Sequence, residues 1–208
     1  HAASAIYGSN YDKAIIFTLD GRGNYKSGSV FIKKKNKELI EYDYNLTFQS
    51  LGFLYGQITD YLGFKHHSSE GTVMALASYG DCLQKIPSKR DTYEKIFDEI
   101  INLEDDGGYK LNLSYFNFPF TRNGWVSKKF IDLFGKKRGK NEKVTDHHRN
   151  IASGLQKSFE KTYLHILRAA EKSSNTKFLS LSGGCALNCV ANGKILENTS
   201  YISLYEKF

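Results

Sequence analysis

The chain has 208 residues, 40% hydrophobic, 14% aromatic and 25% charged, with 29 Lys and Arg against 22 Asp and Glu for a formal charge of +7. That length and apolar content suffice for a packed core and exclude a disordered or fibrous chain. There is no run of roughly 18 apolar residues and no basic stretch leading into an apolar signal segment, and three cysteines are too few for a disulfide scaffold, so a cytoplasmic protein with no membrane partner is expected.

In chain order, residues 14–19 form a short apolar, β-branched run that enters Asp20-Gly21-Arg22-Gly23-Asn24, and 28–33 alternate, which predicts a β-hairpin with a glycine turn. A third strand is expected over 39–46. Helices are expected over 51–62, 70–79 and 91–103, the last with Tyr93, Ile96, Phe97, Ile100 and Ile101 at 3–4 spacing. Residues 107–120 read as turn-rich and β-like. The longest helix is expected after a cap at Asp146, with Ile151, Leu155, Phe159, Tyr163, Ile166 and Ala170 on one stripe. A strand over 177–181, the turn Ser182-Gly183-Gly184, a helix over 187–197 and a strand-like run at 201–204 close the chain.

The run Gly135-Lys-Lys-Arg-Gly-Lys-Asn-Glu-Lys143 is the expected seam between lobes. Both it and Lys33-Lys34-Lys35 lack interleaved aromatics and read as solvated segments, so charge alone does not make nucleic acid the partner. Cys185 and Cys189, four apart, are expected to share a helix face as small packed side chains rather than as metal ligands, because no CxxC pair exists.

Three segments carry chemistry. In the strand–Gly183-Gly184–helix piece, two glycines let backbone approach a ligand, unpaired helix N–H groups suit an anion, and Asn188 and Asn192 are placed to bind ligand hydroxyls; a plain tight turn with surface Asn residues fits the same letters. In Thr18-Leu-Asp-Gly-Arg-Gly23, Asp20 ends a buried strand where a carboxylate can hold a metal or position a phosphate, while Asp-Gly is equally an ordinary hairpin turn. In Glu70-Gly-Thr-Val-Met-Ala-Leu-Ala-Ser-Tyr-Gly80, Glu70 suits a helix N-terminus and Gly80 a C-cap. The order strand–DGxG–strand–strand–helix early and strand–GG–helix late is similar to the actin-like, sugar-kinase and Hsp70-like ATPases, whose duplicated ribonuclease-H-like lobes enclose a nucleotide.

Blocks in one order along the chain resemble a family. His1-Ala-Ala-Ser-Ala-Ile-Tyr7, Leu19-Asp-Gly-Arg-Gly23, Ser50-Leu-Gly-Phe-Leu-Tyr55, Tyr61-Leu-Gly-Phe64, Glu70 to Gly80, Ile151-Ala-Ser-Gly-Leu-Gln156 and Ser182-Gly-Gly-Cys-Ala-Leu-Asn-Cys-Val-Ala-Asn-Gly193 resemble the O-carbamoyltransferases of the nodulation, cephalosporin and tobramycin pathways. The resemblance implies an α/β, actin-like ATPase fold with an aromatic-rich, mainly helical insertion, a first lobe over 1–140, the start of a second over 141–208, and a C-terminal carbamoyl-transfer domain outside the chain. It implies ATP and carbamoyl phosphate as co-substrates, a carbamoyl adenylate, a divalent metal such as iron, and a small hydroxylated acceptor such as a sugar or antibiotic. A homodimer stays open.

By position, the resemblance makes His1 the second histidine of an H-x-x-x-H metal motif and Asp20 a metal-ligating aspartate. It places Gly21, Gly23, Glu70, Gly183, Gly184, Asn188 and Asn192 at the nucleotide, and matches Arg138 to an arginine of a connector without a catalytic role. It also reads the chain as cut at both ends, before one metal histidine and before a later Asp-x-Gly. The sequence departs from the family at Gly71-Thr72, where Tyr-Lys is usual, at Ala75, where Gly is usual, and at Asn24, where an acid is common. Relatives acting on tRNA adenosine or in hydrogenase maturation, and a catalytically inactive nucleotide-binding module, are the competing readings.

Overall fold

The computed structural model describes residues 1–23, 25–35, 38–89, 91–117 and 124–207, with backbone alone at 42–46 and 207. Asn24, and 118–120 of the stretch expected to be β-like, lie outside the described residues. The chain is mixed α/β and divides into two units, 1–53 with 103–108 and 162–208, and 54–102 with 109–161.

The first unit is built on a five-stranded sheet. Strands β1 (Ala14–Leu19), β2 (Lys26–Lys33) and β3 (Leu39–Leu46) form an antiparallel meander, while β6 (Phe178–Ser182) runs parallel to β1 and β7 (Ser203–Lys207) parallel to β6, in the order β3-β2-β1-β6-β7. The short strands β4 (Ile101–Leu103) and β5 (Tyr109–Leu111) lie outside it. Because β1 is central, Ala14, Ile15, Ile16, Phe17 and Leu19 are all buried, which is why it reads as a continuous apolar run rather than an alternation. Burying each of its larger side chains contributes about 1.5–3 kcal/mol.

The expected seam near residue 140 does not divide the sheet. Strands β6 and β7, assigned to a second lobe, pair onto β1 and finish the sheet that β1–β3 begin. Parallel pairing between strands more than a hundred residues apart has no local signature, whereas the charged run at 135–143 has one.

Helix α1 (Ala2–Gly8) is pinned to this sheet by small residues. Ala5 packs with Ala14 and Ile16, Ser180 Oγ donates to the Ala5 carbonyl at 3.1 Å, and a side chain on Gly8 would fall 2.2 Å from the Tyr205 hydroxyl. Helix α2 (Leu51–Tyr61) follows the meander, and α6 (Asp146–Ser173) carries the predicted stripe, with Ile151, Leu155, Phe159, Tyr163, Ile166 and Ala170 all buried. Asp146 is not its cap: it sits in the first turn and pairs with Arg149 at 2.5 Å.

The second unit holds α3 (Glu70–Ala77), α4 (Tyr93–Ile100) and α5 (Lys128–Phe134), and its aromatic core joins Tyr61 of α2, Tyr93 and Phe97 of α4 and Phe130 and Phe134 of α5, with the Tyr61–Phe130 and Phe130–Phe134 ring centroids 4.9 and 4.5 Å apart. Helix α4 is shorter than expected because Thr92 caps it, accepting from Lys95 N at 3.2 Å, and Ile101 is already extended. Arg138, expected in a solvated connector, is buried: its Nε donates to the Leu62 carbonyl at 2.5 Å, its Nη2 to Gly63 at 3.3 Å and its Nη1 to Glu142. That guanidinium holds the turn at Gly63, whose φ of +77° suits glycine.

Candidate functional site

The end of β1 gathers three segments of the first unit. Asp20 follows Leu19 with its amide fixed to the Ser27 carbonyl at 2.7 Å, so the carboxylate leaves the sheet at a set point. Its Oδ2 lies 2.7 Å from His1 Nε2, at the start of α1, and its Oδ1 accepts the Gly21 amide at 2.7 Å. The parallel neighbour β6 ends at Gly183-Gly184. Gly183 has φ +97°, and a side chain there would meet the Leu19 carbonyl at 2.4 Å; one on Gly184 would meet Asp20 Oδ1 at 3.0 Å. Gly183 is thus required by the close approach of the two strand ends, and Gly184 leaves room for the carboxylate.

The third segment is the start of α2. The buried Ser50 hydroxyl donates to the Asp20 and Gly21 carbonyls, at 3.0 and 2.6 Å, and accepts the Phe53 amide at 2.9 Å. A side chain on Gly52 would come within 2.7 Å of Cys185 Sγ and 2.9 Å of the Asp20 carbonyl carbon. Ser50 was missed as a site residue; its place just before an apolar helical run was the available signal, since Ser is a preferred N-cap.

The remaining expected site residues behave differently. No side chain would crowd Gly21, which is open, whereas one on Gly23 would strike the Lys26 carbonyl at 2.3 Å, making Gly23 a turn requirement. The helix expected over 187–197 is broken into a 3-10 turn (Gly184–Leu187), α7 (Cys189–Gly193) and α8 (Ile195–Asn198), so the long dipole expected behind the glycines is replaced by short pieces. The break follows from Asn188, whose side chain accepts the Ala191 amide at 3.0 Å as the cap of α7. Asn188 and Asn192 are buried rather than presented on a surface face; Asn192 Nδ2 donates to the Ala186 carbonyl at 2.7 Å, while its Oδ1 is buried without a partner among the described residues. The same break separates the cysteines, Cys185 buried and Cys189 exposed.

Glu70 belongs to the second unit. It opens α3 and its Oε1 accepts the His67 amide at 2.7 Å. His66, His67 and Glu70 each place a donor atom within 4.8 Å of the others, a grouping that the adjacent histidines ahead of Glu70 could have signalled and that was not singled out. Burial, with the neighbouring His67 assisting, holds the His66 imidazole below its ordinary value and so neutral near pH 7.

The chain matches the family described as "Carbamoyltransferase N-terminus" over residues 1–207, and it belongs to that family. It is 31% identical over 207 residues to the nodulation protein NolO of Bradyrhizobium diazoefficiens, covering 99% of this chain and 34% of that protein. It is equally 31% identical to the nodulation protein NolNO of Sinorhizobium fredii, covering 99% of this chain and 27% of that one. An uncharacterized protein, sll1178, of Synechocystis is 35% identical over 206 residues, 99% of this chain and 32% of its own. The chain therefore spans about a third of the length of the relatives it matches. No helix among the described residues is long and apolar enough to cross a membrane.

Proposed function

We propose that this chain is the nucleotide- and metal-binding part of an O-carbamoyltransferase that uses ATP and carbamoyl phosphate to carbamoylate a hydroxyl of a small molecule. The observation that carries the reading is the Asp20 carboxylate, held at the end of a central strand between His1 and Gly184. The sheet order β3-β2-β1-β6-β7, antiparallel and then parallel, supports an actin-like, ribonuclease-H-like unit as its scaffold.

The donor set fits a divalent metal: one imidazole nitrogen and one carboxylate suit borderline ions such as iron or zinc. His1 and Asp20 would hold it, and when bound it would neutralise charge on nucleotide phosphates. Two features support a nucleotide nearby: Gly21 leaves backbone uncovered, and among the described residues the buried Asn192 Oδ1 has no donor, a deficit of about 1–3 kcal/mol that a ligand N–H or hydroxyl would relieve. Glu70 belongs to the second unit, and the proposed site rests on the residues of the first.

In the proposed reaction the acceptor oxygen bonds to the carbamoyl carbon of a carbamoyl adenylate, the carbon–oxygen bond to AMP breaks, and the hydroxyl proton leaves. A carbamoyl carbon is a poor electrophile, so stabilising charge on the departing AMP is where the barrier falls. The roles of this chain's residues are positional: Ser50 locks the Asp20-Gly21 turn, Gly183 and Gly184 keep the strand ends close, and Asp20 holds its carboxylate at the junction. The test is AMP release by the full-length protein given ATP, carbamoyl phosphate and a panel of hydroxylated acceptors. AMP that depends on both carbamoyl phosphate and acceptor is the expected result, and its absence with every acceptor refutes the reading.

A further inference from the structure

The second unit holds a cluster that the carbamoyl-transfer reading does not use. His66, half-buried, and His67, exposed, precede α3, and Glu70 is its first residue; one ring nitrogen of each histidine and one carboxylate oxygen all lie within 4.8 Å of one another. Four features make this more than a chance meeting of surface groups. The two imidazole rings lie with centroids 3.7 Å apart and their planes inclined at 40°, so the two heterocycles share one small volume. His67 holds φ +63°, a left-handed conformation uncommon for a residue with a side chain, and this turns consecutive residues toward the same side. Gly56, on α2, contributes no side chain: a methyl there would sit 3.4 Å from Glu70 Oε1 and 3.6 Å from His66 Nδ1, so the glycine keeps the space beside those two donors open. Finally, the His66 ring packs beside Trp125, with centroids 5.2 Å apart and planes inclined at 55°.

We propose that His66, His67 and Glu70 form a binding site for a divalent transition-metal ion of the zinc class, separate from His1 and Asp20. Two imidazoles and one carboxylate are the donors such ions prefer, and bonds of about 2.0–2.2 Å from one tetrahedral centre span about 3.3–3.6 Å between donors. The 4.8 Å limit therefore asks only small side-chain rotations to bring three donors onto one ion. Three protein ligands leave a fourth position for water or an exogenous ligand, the pattern of an accessible rather than a closed site. The Glu70 oxygen that accepts the His67 amide orders the turn carrying the two imidazoles, so the acid both shapes the site and closes it. This assignment is independent of carbamoyl transfer and can fail without it.

Trp125, the one tryptophan in these 208 residues, is a built-in reporter because it contacts His66. The experiment titrates the metal-stripped full-length protein with Co2+, whose partly filled d shell quenches a neighbouring indole. The signal is the difference between the protein and its Trp125→Phe variant, and Zn2+ is added as a competitor. The expected result is saturable quenching with one ion per chain, reversed by Zn2+, with affinity weakened at least about tenfold in His67→Asn and in His66→Gln. Asn tolerates a positive φ, so His67→Asn preserves the turn while removing the ligand. Asp20→Asn is expected to leave this quenching unchanged. The assignment is overturned if Trp125 shows no saturable quenching, if His67→Asn binds as the unaltered protein does, or if Asp20→Asn abolishes the signal.

Discussion

Asp20 Oδ2 lies 2.7 Å from His1 Nε2, although the two side chains are 37% and 55% exposed. A pair this open to water contributes at most about 1 kcal/mol to folding, so stability does not explain the care with which Ser50, Gly21 and Gly184 hold it. Asp20→Asn keeps an oxygen for the Gly21 amide and loses the charge. It is expected to change unfolding free energy by less than about 1 kcal/mol while weakening metal binding at His1 and Asp20 at least about tenfold, read by urea denaturation and metal analysis of the full-length protein. Unchanged metal content would remove Asp20 from the ligand set.

The two glycines of β6 predict opposite phenotypes. Gly183→Ala forces a side chain 2.4 Å from the Leu19 carbonyl at φ +97°, and backbone cannot yield as a side chain can, so a loss of about 2 kcal/mol or more is expected. Gly184→Ala meets only the Asp20 carboxylate, at 3.0 Å, the end of a side chain rather than backbone, which can turn aside. It should fold nearly as well and bind metal and nucleotide more weakly. Chemical denaturation and ATP calorimetry on the pair separate the effects; equal destabilisation by both would contradict the assignment.

His148 predicts an acid sensitivity in the second unit. Its Nδ1 accepts from the Thr145 amide at 3.1 Å and lies 2.8 Å from the Thr145 hydroxyl, a cap that requires a neutral ring. Burial first, then the neighbouring His147 and Arg138 charges, hold its titration below the ordinary 6.5. An imidazole depressed in the folded state binds its proton more readily when unfolded, so stability rises with pH through this range and the deficit is complete below the folded value. Acidification from about pH 7.5 to about pH 5.5 should lower the melting temperature, with His66 acting in the same direction. His148→Gln should shallow that slope; an unaltered slope would assign the sensitivity elsewhere.

Arg138 is expected to be structural. Its guanidinium serves the carbonyls of Leu62, Gly63 and Glu142 and lies 4.8 Å from the Phe64 ring. Removing it orphans the buried Leu62 carbonyl, at about 1–3 kcal/mol, and two partly buried bonds besides, so Arg138→Ala should destabilise the chain by about 2 kcal/mol or more, and Arg138→Lys should recover little because a point charge cannot reach three carbonyls at once. Equilibrium denaturation of both variants checks the claim, and wild-type stability of the lysine variant would refute it.

What could be read without coordinates was what is local. The β1–β2 hairpin follows from an apolar run, a glycine turn and an alternating segment, the α6 stripe from apolar residues three and four apart, and Asp20 and the Gly183-Gly184 turn stand out as glycine-flanked strand ends. What joins them was not legible as packing: β6 finds β1 through a parallel register, Thr18 opposite Ser182, that leaves no trace in nearby sequence. The helix after Gly184 was overextended because its letters suit a helix, while Asn188 caps a new one inside it. Arg138 was taken for solvent-facing because its neighbours are lysines, yet its partners are backbone carbonyls that no composition reveals.

The most direct test follows a radiolabelled carbamoyl group from carbamoyl phosphate through the full-length protein, with ATP and a mixture of hydroxylated small molecules. Labelled O-carbamate and AMP formed in equal amounts, both lost in Asp20→Ala, is the predicted result. Label recovered instead in tRNA or in a second protein, or AMP and carbamate formed undiminished without Asp20, would contradict it.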